Sequence, residues 1–183
     1  MKTPRARIAA LTLAAALTLA GCTSSEPGST ADPTAGGPLG ATADERFCNA
    51  YDALAAVPGS EAESAMMDAL SSTAADTDAG VLADLNAAGK TYIADVNSLL
   101  DYAETMAVNL EDPDASAALS TITKLGITPL RGLGEAARDA TSLQEFSDTF
   151  TEISDDYSTN DAALTEADGV LTAYYSATCQ SDS

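Results

Sequence analysis

Apolar residues recur every three or four positions through most of the chain after residue 43. This spacing places apolar side chains on one face of an α-helix, whereas a strand would alternate every second residue. The longest repeat in the middle of the chain consists of Leu85, Gly89, Tyr92, Val96, Leu99, Ala103, Met106 and Leu110. Its alternating steps of four and three residues are a heptad pattern. The pattern predicts one long helix over about 78–110, packed against neighbouring helices along this face.

A second long repeat lies near the carboxyl terminus. Its members are Leu143, Phe146, Phe150, Ile153, Tyr157, Asn160, Leu164, Ala167, Leu171, Tyr174 and Thr178. The register continues through the polar stretch 158–161 without a slip, which predicts a single helix over about 142–178. Two helices with a turn at 158–160 are the alternative. In the single helix Asn160 faces the core side and needs a hydrogen-bond partner.

Helix-start signals predict the shorter helices. Thr42 with Glu45, and Ser60 with Glu63, fit the capping box in which two side chains satisfy backbone N–H groups at a helix start. Ser142 with Glu145 fits the same pattern before the last helix. The first two signals predict helices over about 44–57 and 60–75.

Two further helix starts are marked by proline. Asp112-Pro113 and Thr128-Pro129 each place a cap residue before a proline suited to the first helical position. Helices to about Leu125 and Ala140 follow, and we expect Gly126 to end the first of them. The predicted fold is therefore all-α, an antiparallel bundle of four to six helices with two long ones, about 78–110 and 142–178.

The amino-terminal segment has a different composition. Three basic residues precede an uncharged run of 13 residues, Ile8 to Ala20. A helix needs about 20 residues to span the hydrocarbon core of a bilayer, so this run fits a signal peptide better. The stretch Leu19-Ala20-Gly21-Cys22 resembles the lipobox of bacterial lipoproteins. The resemblance implies cleavage after Gly21 and a diacylglycerol on Cys22. A plain secretory signal is the alternative.

Three regions follow from these boundaries. Residues 1–21 are predicted to be a lipoprotein signal peptide, 22–43 a lipid-anchored flexible linker and 44–180 a helical bundle domain. The linker assignment depends on composition, since 14 of the 21 residues from Thr23 to Ala43 are Gly, Pro, Ser or Thr.

The number of cysteines agrees with lipidation. Three cysteines in an exported protein leave one unpaired. If Cys22 carries lipid, Cys48 and Cys179 remain to form a disulfide in an oxidising compartment. Two free cysteines are the alternative.

The composition excludes several kinds of chemistry. The chain has no His, which removes Ser-His-Asp and Cys-His nucleophiles and His-ligated metal sites. From Cys22 onward there are 5 basic and 28 acidic residues, a formal charge of −23. Such a charge repels nucleic acid and attracts cations and basic partners.

Two groups of residues are candidates for functional sites. The stretch from Asp76 to Gly80 resembles the start of a calcium loop, but Gly80 occupies the third ligand position and a helix cap is the preferred interpretation. Four tyrosines at helical spacing, Tyr92, Tyr157, Tyr174 and Tyr175, are expected in the core, with a pocket lining as the alternative. No catalytic residue, cofactor site or metal site is predicted.

The overall layout resembles small actinobacterial cell-surface lipoproteins of all-helical build. The features that match are the lipobox, the linker, Phe47-Cys48-x-x-Tyr51 and a final Tyr174 and Cys179. The resemblance implies a fold and a location at the outer face of the cell membrane, without an activity. We expect a non-enzymatic protein that binds a protein or other basic partner in the cell envelope. The alternatives are a small-molecule carrier with a cavity between the helices and a carboxylate-dependent hydrolase of envelope polysaccharide.

Overall fold

A computed structural model describes residues 41–56, 61–72 and 74–180, and this part of the chain is all-α without strands. The predicted signal peptide 1–21, Cys22, the linker up to residue 40 and the Ser60 cap lie outside the described residues. The helices are α1 Ala43–Ala55, α2 Glu61–Ser71, α3 Ala79–Val108, α4 Pro113–Thr121, a π-helix Ile122–Ile127, α5 Thr128–Asp139 and α6 Leu143–Cys179. The prediction of a helical bundle with two long helices is confirmed.

The first helix begins as its sequence predicts. The Thr42 hydroxyl accepts from the Glu45 N–H, and the Glu45 carboxylate accepts from the Thr42 N–H, which is a complete capping box. At α6 only half of the box is present. Ser142 accepts from the Glu145 N–H, but the Glu145 carboxylate binds the N–H and hydroxyl of Thr141 instead. These two hydrogen bonds lower the pKa of Glu145.

The central helix of the bundle is α3, which packs against α1, α2 and α5. Most of its predicted core face is buried: Leu85, Gly89, Tyr92, Val96, Ala103 and Met106. Leu99 and Leu110 are partly buried against the same core. The heptad pattern therefore identified the face of α3 that contacts the other helices.

The last helix is continuous over 37 residues, so the turn at 158–160 does not occur. Its length is about 55 Å at 1.5 Å per residue. Asn160 is only half-buried, and its amide donates to the Asp156 carbonyl oxygen at 2.8 Å. The polar stretch is helical, and the Asn160 side chain finds its hydrogen-bond partner within its own helix.

The two long helices run in the same direction. At one end, the Asp76 carbonyl oxygen, just before α3, accepts from the Leu143 N–H at the start of α6. At the other end, Arg46 of α1 donates to Asn109, which follows α3, and Cys48 of α1 bonds to the last residue of α6. The antiparallel packing in the bundle is between the long helices and shorter ones.

The neighbour α5 lies antiparallel to α3 at close range. The Asn86 side chain donates to the carbonyl oxygens of Ala137 and Ala140, at 2.9 and 3.2 Å. One turn further along α3, Gly89 lies against Gly134 of α5. The absence of a side chain at this crossing allows the two backbones to approach closely, as the position of Gly89 on the core face suggested.

Gly126 does not end a helix, and that prediction was wrong. The chain passes from α4 to α5 through the π-helix without leaving helical geometry. Both the N–H and the hydroxyl of Thr128 donate to the Thr123 carbonyl oxygen, five residues earlier. A wider turn suits Pro129, which lacks an N–H and would clash with a carbonyl group in a regular α-helical turn.

The second helix ends earlier than predicted, at Ser71 rather than near residue 75. The Ser71 hydroxyl donates to the Asp68 carbonyl oxygen, and the Ser72 hydroxyl accepts from the Ala74 N–H. Serine side chains compete for backbone hydrogen bonds in this way, which favours ending the helix.

Candidate functional site

The end of the bundle where α1 meets the last turn of α6 is closed by a disulfide. Cys48 and Cys179 are joined with their Cα atoms 5.8 Å apart, a separation usual for disulfides. The bond links residues 131 positions apart. The pairing predicted from the number of cysteines is therefore present.

Aromatic side chains of α1 and α6 contact one another at this end of the bundle. Tyr51 stacks on Tyr175 with ring centroids 4.2 Å apart, and Phe47 meets Tyr174 edge-on at 5.0 Å. The Tyr175 hydroxyl donates to the Asp52 carboxylate at 2.5 Å, and this hydrogen bond is the main reason that the pKa of Tyr175 is raised. These residues fill the space between α1 and α6, so here the tyrosines pack rather than line a pocket.

The other two tyrosines lie elsewhere in the core. The Tyr157 hydroxyl of α6 donates to the Gly126 carbonyl oxygen in the π-helix, and Tyr92 of α3 is 6 % exposed. Burial raises the pKa of both, and the nearby Glu63 carboxylate raises them further. The four tyrosines considered from the sequence thus form two separate sets. Each set is part of the packed interior.

The stretch from Asp76 to Gly80 serves as a double helix cap. The Asp78 carboxylate accepts from the N–H groups of Gly80 and Val81 at the start of α3. The Asp76 carboxylate accepts from the Gln144 N–H at 2.7 Å, at the start of α6. The cap interpretation of this stretch is confirmed. Among the described residues, no group of three or more His, Cys, Asp or Glu side chains is arranged to hold a metal ion.

A surface groove of about 620 Å³ lies between α2 and α3. Its lining residues are Glu61, Ala62, Ala65, Asp68, Ala69, Ser72, Val81, Asp84, Ala87, Ala88 and Thr91. Ala62, Ala69 and Ala88 are nearly buried and form the floor, whereas the three carboxylates are exposed. We call this feature the α2–α3 groove. Its signal in the sequence is the alanine at positions 62, 65 and 69 of α2 and at positions 87 and 88 of α3.

Electrostatics give the described surface one dominant sign. The whole of α6 contains no Lys or Arg, and its exposed side includes Glu152, Asp155 and Asp156. Two of the five arginines and lysines after Cys22, Arg131 and Arg138, pair with acidic neighbours. None of the described helices combines the length and apolar character that crossing a membrane requires.

Comparisons with protein-family models, curated proteins and solved structures find no match to this chain.

Proposed function

We propose that this protein is a lipid-anchored component of the bacterial cell envelope that binds a basic partner and catalyses no reaction itself. The observation that carries the proposal is the Cys48–Cys179 disulfide. Structural disulfides persist mainly in oxidising compartments, so the bond supports export. It also uses two of the three cysteines and leaves Cys22, the cysteine of the lipobox-like stretch, for the lipid.

The position of the amino terminus suits a tethered domain. The helical bundle starts at α1, whose Cys48 is joined to the end of α6. The linker predicted from composition would have a coil dimension of about 25 Å, so the bundle would be held near the membrane by this end.

The charge supports a basic partner. With 5 basic and 28 acidic residues after Cys22, the protein surface attracts cationic surfaces over about a Debye length. Electrostatic complementarity of this kind accelerates encounter and weakens with added salt. Anionic lipid head groups and nucleic acid are repelled by the same field.

The non-enzymatic part of the proposal is supported by how polar groups are used. Tyr157 donates to a backbone carbonyl, Tyr175 donates to Asp52, and the two aspartates that start the calcium-like stretch cap helices. These groups are held in hydrogen bonds that stabilise the fold.

Lipidation is tested by mass spectrometry of the protein purified from the membrane fraction of a bacterium that processes lipoproteins. Trypsin should release a peptide from Cys22 to Arg46 that carries a diacylglycerol on its first residue. The Cys22→Ser variant should lose the lipid and its membrane association. A wild-type protein that keeps its leader, or that has Cys22 in a disulfide, would overturn the anchor.

Partner binding is tested by chemical cross-linking in intact cells, followed by detergent extraction. The wild-type protein should capture a specific envelope component that a lipidated, unrelated acidic domain does not capture. The yield should decrease as the salt concentration is raised. Capture of the same components by both proteins would contradict the proposed function.

A further inference from the structure

We propose that the α2–α3 groove is the docking site for a basic amphipathic helix of the partner protein. This inference rests on the proposed function and gives it a location and a partner chemistry. It follows from the shape of the groove, the small size of the side chains on its floor and the charge of the carboxylates along its two edges.

The groove is bounded by one stripe of residues from each helix. From α2 and the residue that follows it the lining includes Ala62, Ala65, Ala69 and Ser72, and from α3 it includes Val81, Asp84, Ala88 and Thr91. Steps of three or four residues keep each stripe on one face of its helix. The groove therefore runs lengthwise between two neighbouring helices, which is where a further helix packs in a bundle.

Among the described helices, only α3 packs extensively against α2. Within the described part of the chain, α2 packs against α3 and touches α6 over only a few residues, while α3 is covered on its other sides by α1 and α5. The helix α3 already accepts one close neighbour through small residues, since Gly89 lies against α5. The alanines of the groove would allow a second close approach in the same manner.

The walls of the groove favour a helix over an extended peptide. Helices satisfy their backbone N–H and C=O groups internally, so α2 and α3 offer no row of free backbone groups to an extended chain. An occupant that meets only side chains must satisfy its own backbone, as a helix does. An apolar stripe on such a helix would lie on the alanine floor, in the helix-in-groove mode.

The negative charge along the two edges of the groove favours a basic helix. Glu61 and Asp68 of α2 and Asp84 of α3 are exposed, and no Lys or Arg lines the groove. Lysine and arginine can lay their apolar stems along the alanines while their charged ends reach these carboxylates. An acidic helix would place negative charges next to the carboxylates along both edges of the groove.

The first test uses a synthetic helical peptide of about three turns, the length of α2, with Leu on one face and Lys on both flanks. The peptide is titrated into the protein that begins at residue 22. It should shift the amide resonances of residues 61–72 and 81–91 in a saturable manner. A peptide of the same composition in scrambled order has no apolar face and should bind at least about tenfold more weakly. Equal binding of the two peptides would overturn the proposal.

Matched variants locate the site. Combining Glu61→Gln, Asp68→Asn and Asp84→Asn should weaken binding of the peptide about tenfold, because three exposed charge pairs are lost. The control combines Glu152→Gln, Asp155→Asn and Asp156→Asn on α6, which changes the net charge equally. An equal loss of affinity in the control would show that only general attraction is at work, and would overturn the proposal.

A second pair of variants tests shape without changing charge. Ala87 is exposed and lines the groove, so Ala87→Phe should fill it without disturbing the core and should reduce peptide affinity. Ala107→Phe places the same ring on an exposed position near the other end of α3 and should have no effect. Unchanged affinity in Ala87→Phe would contradict docking in the groove.

Cross-linking in cells separates this inference from the proposed function. If the wild-type protein and the groove variants capture the same partner equally, the protein binds a partner elsewhere and only the groove assignment fails. If the wild-type protein captures no specific partner, the proposed function itself fails. If the wild-type protein captures the partner and the groove variants do not, both the groove assignment and the proposed function are supported.

Discussion

Gly89 of α3 lies directly against Gly134 of α5. A Cβ atom added to Gly89 would be 2.7 Å from the Gly134 carbonyl oxygen and 2.9 Å from the Ala137 carbonyl carbon. Both neighbours are backbone atoms, which cannot rotate away as a flexible side chain can. The closest crossing of the central helix therefore requires the absence of a side chain at this position.

Gly89→Ala should destabilise the protein by about 1–3 kcal/mol. The two helices must move apart, and this strain exceeds the gain of about 1 kcal/mol that alanine brings within a helix. Urea unfolding followed by circular dichroism measures the change. Gly132→Ala in α5 is the matched control, because an added Cβ there meets nothing within 4 Å. The control should be unchanged or more stable, and equal losses in the two variants would contradict the close crossing.

Breaking the Cys48–Cys179 disulfide should lower the free energy of unfolding by about 2–5 kcal/mol. The bond joins two residues that are 131 positions apart in the sequence. Breaking the bond increases the conformational entropy of the unfolded chain. Denaturant unfolding with and without reductant measures the loss. Reductant should add the mass of two hydrogens to the wild-type protein, and it should not change the stability of a Cys48→Ala, Cys179→Ala double variant. A reductant-insensitive wild type would contradict the bond.

Asp76→Ala should cost about 1 kcal/mol, because the Gln144 N–H in the first turn of α6 loses its acceptor. Asp76→Asn keeps a side-chain oxygen at this place and should cost much less. Asp161 is exposed on α6. The Asp161→Ala variant is the control that shows how much stability changes when one negative charge is removed. Thermal and urea unfolding of the three variants give the comparison. An Asp76→Asn variant as unstable as Asp76→Ala would show that the cap is not the cause.

The buried tyrosines should make the fold sensitive to alkali. Their pKa values are raised above the ordinary value of 10.0 by burial, so Tyr92 and Tyr157 ionise more readily in the unfolded chain. Their contribution to stability is complete below about pH 10 and is lost as the pH rises further, by up to about 1.4 kcal/mol per pH unit for each tyrosine.

Urea unfolding between about pH 9 and 11 tests this dependence. Tyr92→Phe and Tyr157→Phe should each flatten the decrease of stability with pH, and the double variant should flatten it most. Measurements at neutral pH separate the loss of packing and of the Tyr157 hydrogen bond to Gly126 from the titration. A slope that is identical in the wild type and the double variant would be incompatible with buried, un-ionised phenols.

The amino-acid sequence by itself determined the two long helices and most of the face that α3 buries. Both long helices follow a repeat of three and four residues, and a periodic pattern of this length allows only one secondary structure to bury its apolar side chains. The capping box at Thr42 is local as well, since both of its hydrogen bonds join residues three positions apart. The disulfide partners could be inferred because three cysteines and one lipobox-like stretch leave a single pair.

The tertiary structure decided what depends on distant contacts. The π-helix through Gly126 lies where the Tyr157 hydroxyl meets the Gly126 carbonyl group, and this contact joins residues 31 positions apart. Asp76 caps a helix that begins 67 residues later. The α2–α3 groove depends on how α2 lies against α3, because its lining combines alanines of α2 with a mixed set of α3 residues that are distant in the sequence. Local patterns encode which face of a helix is apolar, but the neighbour that each face meets depends on how all the helices pack together.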